Sequence, residues 1–97
     1  MKLMTAAIEK ELAKYPLYSQ DGKRDKHFIC KFFGGSGYTW LVTEGEKQAD
    51  GDWLFFGKMT EDGGSEWEWG YFTLSQLQGI RFRPFGLGVE RDMYFKS

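Results

Sequence analysis

Between Lys26 and Phe72 the chain runs through four segments of β-forming residues, Lys26–Phe33, Tyr38–Thr43, Asp52–Met59 and Glu66–Phe72. The connections between them are short: Gly34-Gly35-Ser36-Gly37, the polar stretch Glu44–Gly51, and the hairpin-type loop Glu61-Asp62-Gly63-Gly64-Ser65. A parallel crossover needs a dozen or more residues, so this spacing selects antiparallel neighbours in a meander. Alternation is clearest in the fourth segment, where Trp67, Trp69 and Tyr71 share one face and Glu66, Glu68 and Gly70 the other. In the first, the same period groups Phe28, Cys30 and Phe32 against His27, Ile29, Lys31 and Phe33. In the second, Tyr38, Trp40 and Val42 oppose Thr39, Leu41 and Thr43.

The flanks read differently. Thr5 can cap a helix over about residues 6–14, in which Met4, Ile8 and Leu12 form one apolar stripe. Tyr15 precedes Pro16 and is pushed out of helical geometry, which stops the helix. Thr73 can cap a short second helix from Leu74 to Gln78, ended by Gly79. Residues 80–95 read as irregular, with a last short strand near Asp92–Phe95. The expected fold is α+β: a twisted antiparallel sheet of about four to five strands, with both helices packed on one face. Its 97 residues form a single domain, 1–97.

Phe, Tyr and Trp together make up 19% of the chain. A domain this small buries only about 60–65% of its unfolded surface. Either the rings compensate for a short core, or a surplus is left outside as a contact surface. Charge is uneven: residues 1–43 carry +3, residues 44–68 carry −6 and residues 69–97 carry +2, for −1 in total. The acidic stretch contains Glu44, Glu46, Asp50, Asp52, Glu61, Asp62, Glu66 and Glu68. It reads either as solvated loops or as an acidic face for a basic partner.

Catalytic and metal chemistry find little support. His27 is the single histidine and Cys30 the single cysteine, so no disulfide or multi-cysteine zinc motif can form within the chain. Cys30 shares a predicted face with Phe28 and Phe32 and reads as a buried, inert thiol. The Gly34–Gly37 loop lacks the lysine and following helix of a phosphate-binding loop. Glu66 and Glu68 could serve as paired carboxylates but fit an exposed strand face better. Trp67, Trp69 and Tyr71, with Trp40 and Phe55, could stack bases, yet few Lys or Arg residues interleave with them. Phe85-Gly86-Leu87-Gly88 followed by a charged triplet offers Phe85 and Arg91 as contact anchors, or as a plug and an internal ion pair. No apolar run reaches the ~18 residues of a membrane span, and the start shows no secretory pattern, so a cytoplasmic location is expected.

The start Lys2-Leu3-Met4-Thr5, the segment Gly70-Tyr71-Phe72-Thr73-Leu74-Ser75-Gln76-Leu77 and the ending Phe85-Gly86-Leu87-Gly88-Val89-Glu90-Arg91-Asp92-Met93-Tyr94-Phe95 resemble a family of uncharacterised domains. The family's proteins are of about this length and come from plasmids, integrative elements and phages. The resemblance transfers no catalytic residue. It implies an accessory protein of a mobile element, most concretely a non-enzymatic inhibitor that binds a bacterial defence complex of the restriction or CRISPR type. The residues expected to bind that protein partner are Trp67, Trp69, Tyr71, Glu66, Glu68, Asp50, Asp52, Phe85 and Arg91. No metal, cofactor or catalytic set is expected. The alternatives are a nucleic-acid-binding accessory protein that uses the aromatic face, an enzyme built on Glu66, Glu68 or His27, and a self-associating structural protein.

Overall fold

The computed structural model of the chain describes residues 2–96. Helix α1 (Ala6–Leu12) is followed by strands β1 (Cys30–Gly34), β2 (Tyr38–Lys47), β3 (Trp53–Thr60) and β4 (Glu68–Thr73). Helix α2 (Leu74–Gly79) and three two-residue strands, β5 (Arg81–Phe82), β6 (Leu87–Gly88) and β7 (Glu90–Arg91), complete the chain. The main sheet has the order β4-β3-β2-β1-β7, with antiparallel neighbours throughout. β5 and β6 form a separate small hairpin. The fold is α+β, as the strand spacing requires.

Both helices start where the sequence supplies a cap. The Thr5 hydroxyl accepts the Ile8 N–H at 3.1 Å. Thr73 and Gln76 form a reciprocal capping box, each side chain accepting the other's backbone N–H. Helix α1 is shorter than the predicted 6–14, because from Ala13 onward the backbone closes tighter turns toward Pro16. The core lies between the helices and one sheet face. Leu3, Met4, Leu12, Leu74 and Leu77 pack there against Phe32, Trp40, Val42 and Phe55. Phe82 seats the small hairpin on the β1–β2 turn, its ring 5.1 Å from that of Tyr38. A Cβ on Gly34 would stand within 2.3 Å of the Phe82 ring, so a larger residue there must push the ring aside.

β3 and β4 depart from the sequence reading by one or two residues at their ends; the larger differences lie elsewhere. β2 does not end at Thr43 but continues to Lys47. A bulge between Val42 and Glu44 makes this possible: it turns Thr43 and Glu44 into buried positions, and the Thr43 hydroxyl donates to the Phe56 carbonyl at 3.1 Å. β1 starts only at Cys30, so the alternation predicted from Lys26 does not hold. Ile29 joins the core, whereas Phe28 crosses to the opposite face and stacks on Trp69. The last strand is Glu90–Arg91 beside β1, because residues 92–95 leave the sheet after the Asp92 N–H bonds the Lys31 carbonyl. The β5–β6 hairpin lies in a stretch read as irregular; two-residue strands are too short for period-two patterning to register.

Candidate functional site

The sheet face away from the helices is built from β3 and β4. Register pairs Phe56 with Tyr71 and Lys58 with Trp69, so these four side chains stand together on it. The Phe56 ring lies 4.9 Å from Tyr71 and 5.9 Å from Trp69. Phe28 extends the row, stacking on Trp69 at 6.4 Å. The Lys58 ammonium sits inside this group, 4.8 Å from the Trp67 ring, 5.2 Å from Phe28 and 5.7 Å from Trp69. Lys26 lies 5.3 Å over Trp69. Each such contact contributes about 0.5–1 kcal/mol at an exposed site and holds the rings in place.

A loop over residues 17–28 borders the face and is fastened from below. The buried Glu44 carboxylate accepts the Tyr18 N–H at 2.7 Å and the Gln20 N–H at 2.9 Å. The buried Gln20 amide donates to the carbonyls of His27 and Thr43 and accepts the His27 N–H. These bonds bring Tyr18 to Tyr71. The neighbouring Tyr18 hydroxyl, ahead of desolvation and the charges of Tyr18, Asp21 and Glu44, raises the Tyr71 phenol above its ordinary range. Despite this support, Tyr18, Trp69 and Tyr71 remain 64%, 47% and 53% exposed. Of the two readings that composition allows, some rings do lie outside the core, and part of them is gathered on one face.

The other predicted contact residues do not join this face. Trp40 and Phe55 lie on the core side, buried, so the sheet itself divides the five-ring stacking platform. Glu66 and Glu68 line a small acidic recess of about 140 Å³ with Glu61 and Asp62 at the β3–β4 hairpin. Asp50 and Asp52 are at the far end of β3 and shape the β2–β3 turn, where the Asp50 carboxylate accepts the Asp52 N–H. Asp52 also accepts the Ser75 hydroxyl and N–H, fastening α2, and the Ser75 bond holds its carboxyl below the usual range. Asp62 is lowered likewise, first by the Thr60 hydroxyl and then by the loop amides it accepts. Glu44, Asp52 and Asp62 thus serve as fasteners within the fold, and the acidic stretch is not one continuous face. Phe85 is 82% exposed at the turn of the small hairpin, beside Leu87 and Phe33, on a groove of about 360 Å³. Arg91, half-buried on β7 opposite Phe32, donates to the Lys2 carbonyl. Tyr18, Lys26 and Phe28 were missed as site residues because only the long-range bonds of Glu44 and Gln20 place their loop. Lys58 and Phe56 were within reach, since alternation along β3 puts them opposite Phe55.

Cys30 is buried, and burial pushes its thiol up to about 12, an effect that the nearby Arg91 charge partly opposes. The thiol stays protonated at neutral pH and out of reach of reagents. We expect an aromatic disulfide reagent to label it at least about 100-fold more slowly in the native protein than in denaturant. Labelling at comparable rates in both states would contradict the burial.

Among the described residues, no group of three or more His, Cys, Asp or Glu residues is arranged to hold a metal ion, and no helix is long and apolar enough to cross a membrane. Neither the curated proteins nor the solved structures include a match to the chain. Residues 3–97 match the family described as "protein of unknown function (DUF2958)". With nearly its whole length matched, in agreement with the family resemblance of its two ends, this chain belongs to the DUF2958 family.

Proposed function

We propose that the chain is a non-enzymatic binding module that docks a protein partner on the outer face of its sheet. The observation that carries this reading is the exposure of Trp69 and Tyr71 side by side on paired strands, over the fixed floor of Phe28 and Phe56. Trp and Tyr held rigidly in this way lose little conformational entropy on binding and dominate the energetics of protein interfaces. The most concrete partner is a bacterial defence nuclease or effector complex, with the chain as a mobile element's inhibitor in the cytoplasm of a bacterial host. Support for that finer reading is the resemblance of the chain's two ends to proteins of plasmids, integrative elements and phages.

The test combines purified restriction and CRISPR effector complexes with the chain, and measures binding and DNA cleavage. Binding with reduced cleavage is expected, and Trp69→Ala with Tyr71→Ala should weaken it about 30-fold or more. Binding that survives the double variant unchanged would remove the outer face from the account. Failure to bind any such complex would count against the defence reading.

A second reading is favoured by a specific contact. Lys26 and Lys58 lie against the rings, supplying cations that sequence alone does not interleave with them. Aromatic faces flanked by lysines suit single-stranded nucleic acid. That reading requires binding to a labelled oligonucleotide whose affinity falls steeply with salt. No binding at low salt would eliminate it.

A further inference from the structure

Strand β4 ends the sheet, and its outward edge can be read residue by residue. The Phe56 carbonyl accepts the Thr43 hydroxyl, so Phe56 directs its backbone groups toward β2. Phe56 and Tyr71 are therefore a non-hydrogen-bonded pair, and Tyr71 turns its N–H and C=O away from β3. By the same alternation Trp69 and Thr73 also face outward. The Thr73 N–H is taken by the Gln76 side chain at 2.9 Å. Trp69 and Tyr71 keep theirs without a partner among the described residues. Protected edges carry lysine, proline or a bulge. Six-residue β4 has neither lysine nor proline, and its register with β3 runs without a shift.

We propose that this edge pairs with β4 of a second copy of the chain, antiparallel about a two-fold axis through Gly70. The free groups select the register. Hydrogen-bonded pairing requires outward-facing residues on both strands, and within β4, with Thr73 occupied, Trp69 opposite the second copy's Tyr71, and the reverse, satisfies every free group. The two pairs make four backbone hydrogen bonds. They also set Trp beside Tyr twice on the outer face, a favourable cross-strand combination. Gly70 stands at the axis, where a Cβ would meet nothing within 4 Å, so the strands can close. The sheet grows from five strands to ten and the outer aromatic face becomes continuous across both copies. The four half-exposed rings contribute roughly 400 Å² of contact. A stable interface needs about 1,200 Å², so the dimer is weak, with Kd on the order of 10–100 μM.

Sedimentation over a concentration series and cysteine cross-linking test this together, using the full chain. In the proposed register the two Gly70 Cα atoms are about 4.5 Å apart, within disulfide range. Gly70→Cys should form a covalent dimer under mild oxidation at least 10-fold faster than Lys10→Cys on α1. Wild type should sediment as a concentration-dependent dimer. Tyr71→Pro removes the outward N–H together with the ring that meets the second copy's Trp69, and should weaken dimerisation at least 10-fold. Trp69→Lys, which leaves the backbone intact, should do the same should the proline variant fold poorly by circular dichroism. A chain that stays monomeric to 1 mM would overturn the proposal. So would a dimer indifferent to both variants, or one whose Gly70→Cys cross-links no faster than the control, because the contact would then lie elsewhere.

Discussion

Replacing Gly57 with alanine should lower the melting temperature by about 12–24 °C, the shift that ~3 kcal/mol produces in a domain of this size. A Cβ at this position would stand 1.9 Å from the Leu41 carbonyl oxygen and 3.0 Å from the Val42 Cα. Both are backbone atoms in the centre of the sheet, just before the β2 bulge, and neither can swing aside as a side chain would. Relief requires β2 and β3 to part, which breaks ladder hydrogen bonds and disturbs the buried Thr43 and Glu44. Overpacking ordinarily costs 1–3 kcal/mol, and a backbone clash belongs at or beyond the top of that range. Gly70 is the control. It is the cross-strand neighbour of Gly57 on the same sheet face, but a Cβ there meets nothing within 4 Å. Gly70→Ala should change stability by less than about 1 kcal/mol. Thermal melts of the two variants side by side decide the matter; equal effects would mean that the bulge does not hold Leu41 where the structure places it.

Removing the Glu44 carboxylate should cost about 2–5 kcal/mol. Glu44→Ala takes the acceptor from two backbone N–H groups, Tyr18 and Gln20, in a site closed to water. Each stranded donor costs about 1–3 kcal/mol. Because those bonds anchor the loop, its amides between residues 18 and 27 should exchange with solvent far faster, and the Tyr18–Tyr71 contact should be lost. Glu44→Gln retains one acceptor oxygen and should recover roughly half the stability. Hydrogen exchange followed by mass spectrometry reads the loop directly; unchanged loop protection in Glu44→Ala would show that Gln20 alone suffices to hold it.

The parts of the fold legible in sequence are those set by local rules. Period-two patterning and glycine-rich connections specify the meander, and Trp67, Trp69 and Tyr71 do gather on one face, with Glu68 on the other. Thr5 and Thr73 cap helices as their hydroxyls allow. What could not be read was non-local. Glu44 belongs by type to a polar loop, and only the bulge beside it explains its burial. A bulge inserts one residue and reverses the inward–outward sense that alternation relies on. Phe28 lies on the face opposite to the one alternation expects for a related reason: the chain before Ile29 follows the Gln20 and Glu44 hydrogen bonds, not a strand. The acidic residues form no common surface, because Glu44, Asp52 and Asp62 are each engaged by backbone or hydroxyl donors nearby, which a sum of charge along the chain does not show. Phe85 and Arg91, close in sequence, separate because one stands on a hairpin turn and the other on the edge strand beside β1.

We place the proposed partner-binding site on the open aromatic face of β3 and β4. A photo-reactive phenylalanine analogue in place of Tyr71, irradiated in host cells and resolved by mass spectrometry, tests it most directly. Adducts of the chain with itself would report β4 pairing and are separated by mass. A discrete adduct with a different protein is expected from position 71 and none from position 10 on α1. An adduct that arises from position 85 on the small hairpin, with none from position 71, would contradict it.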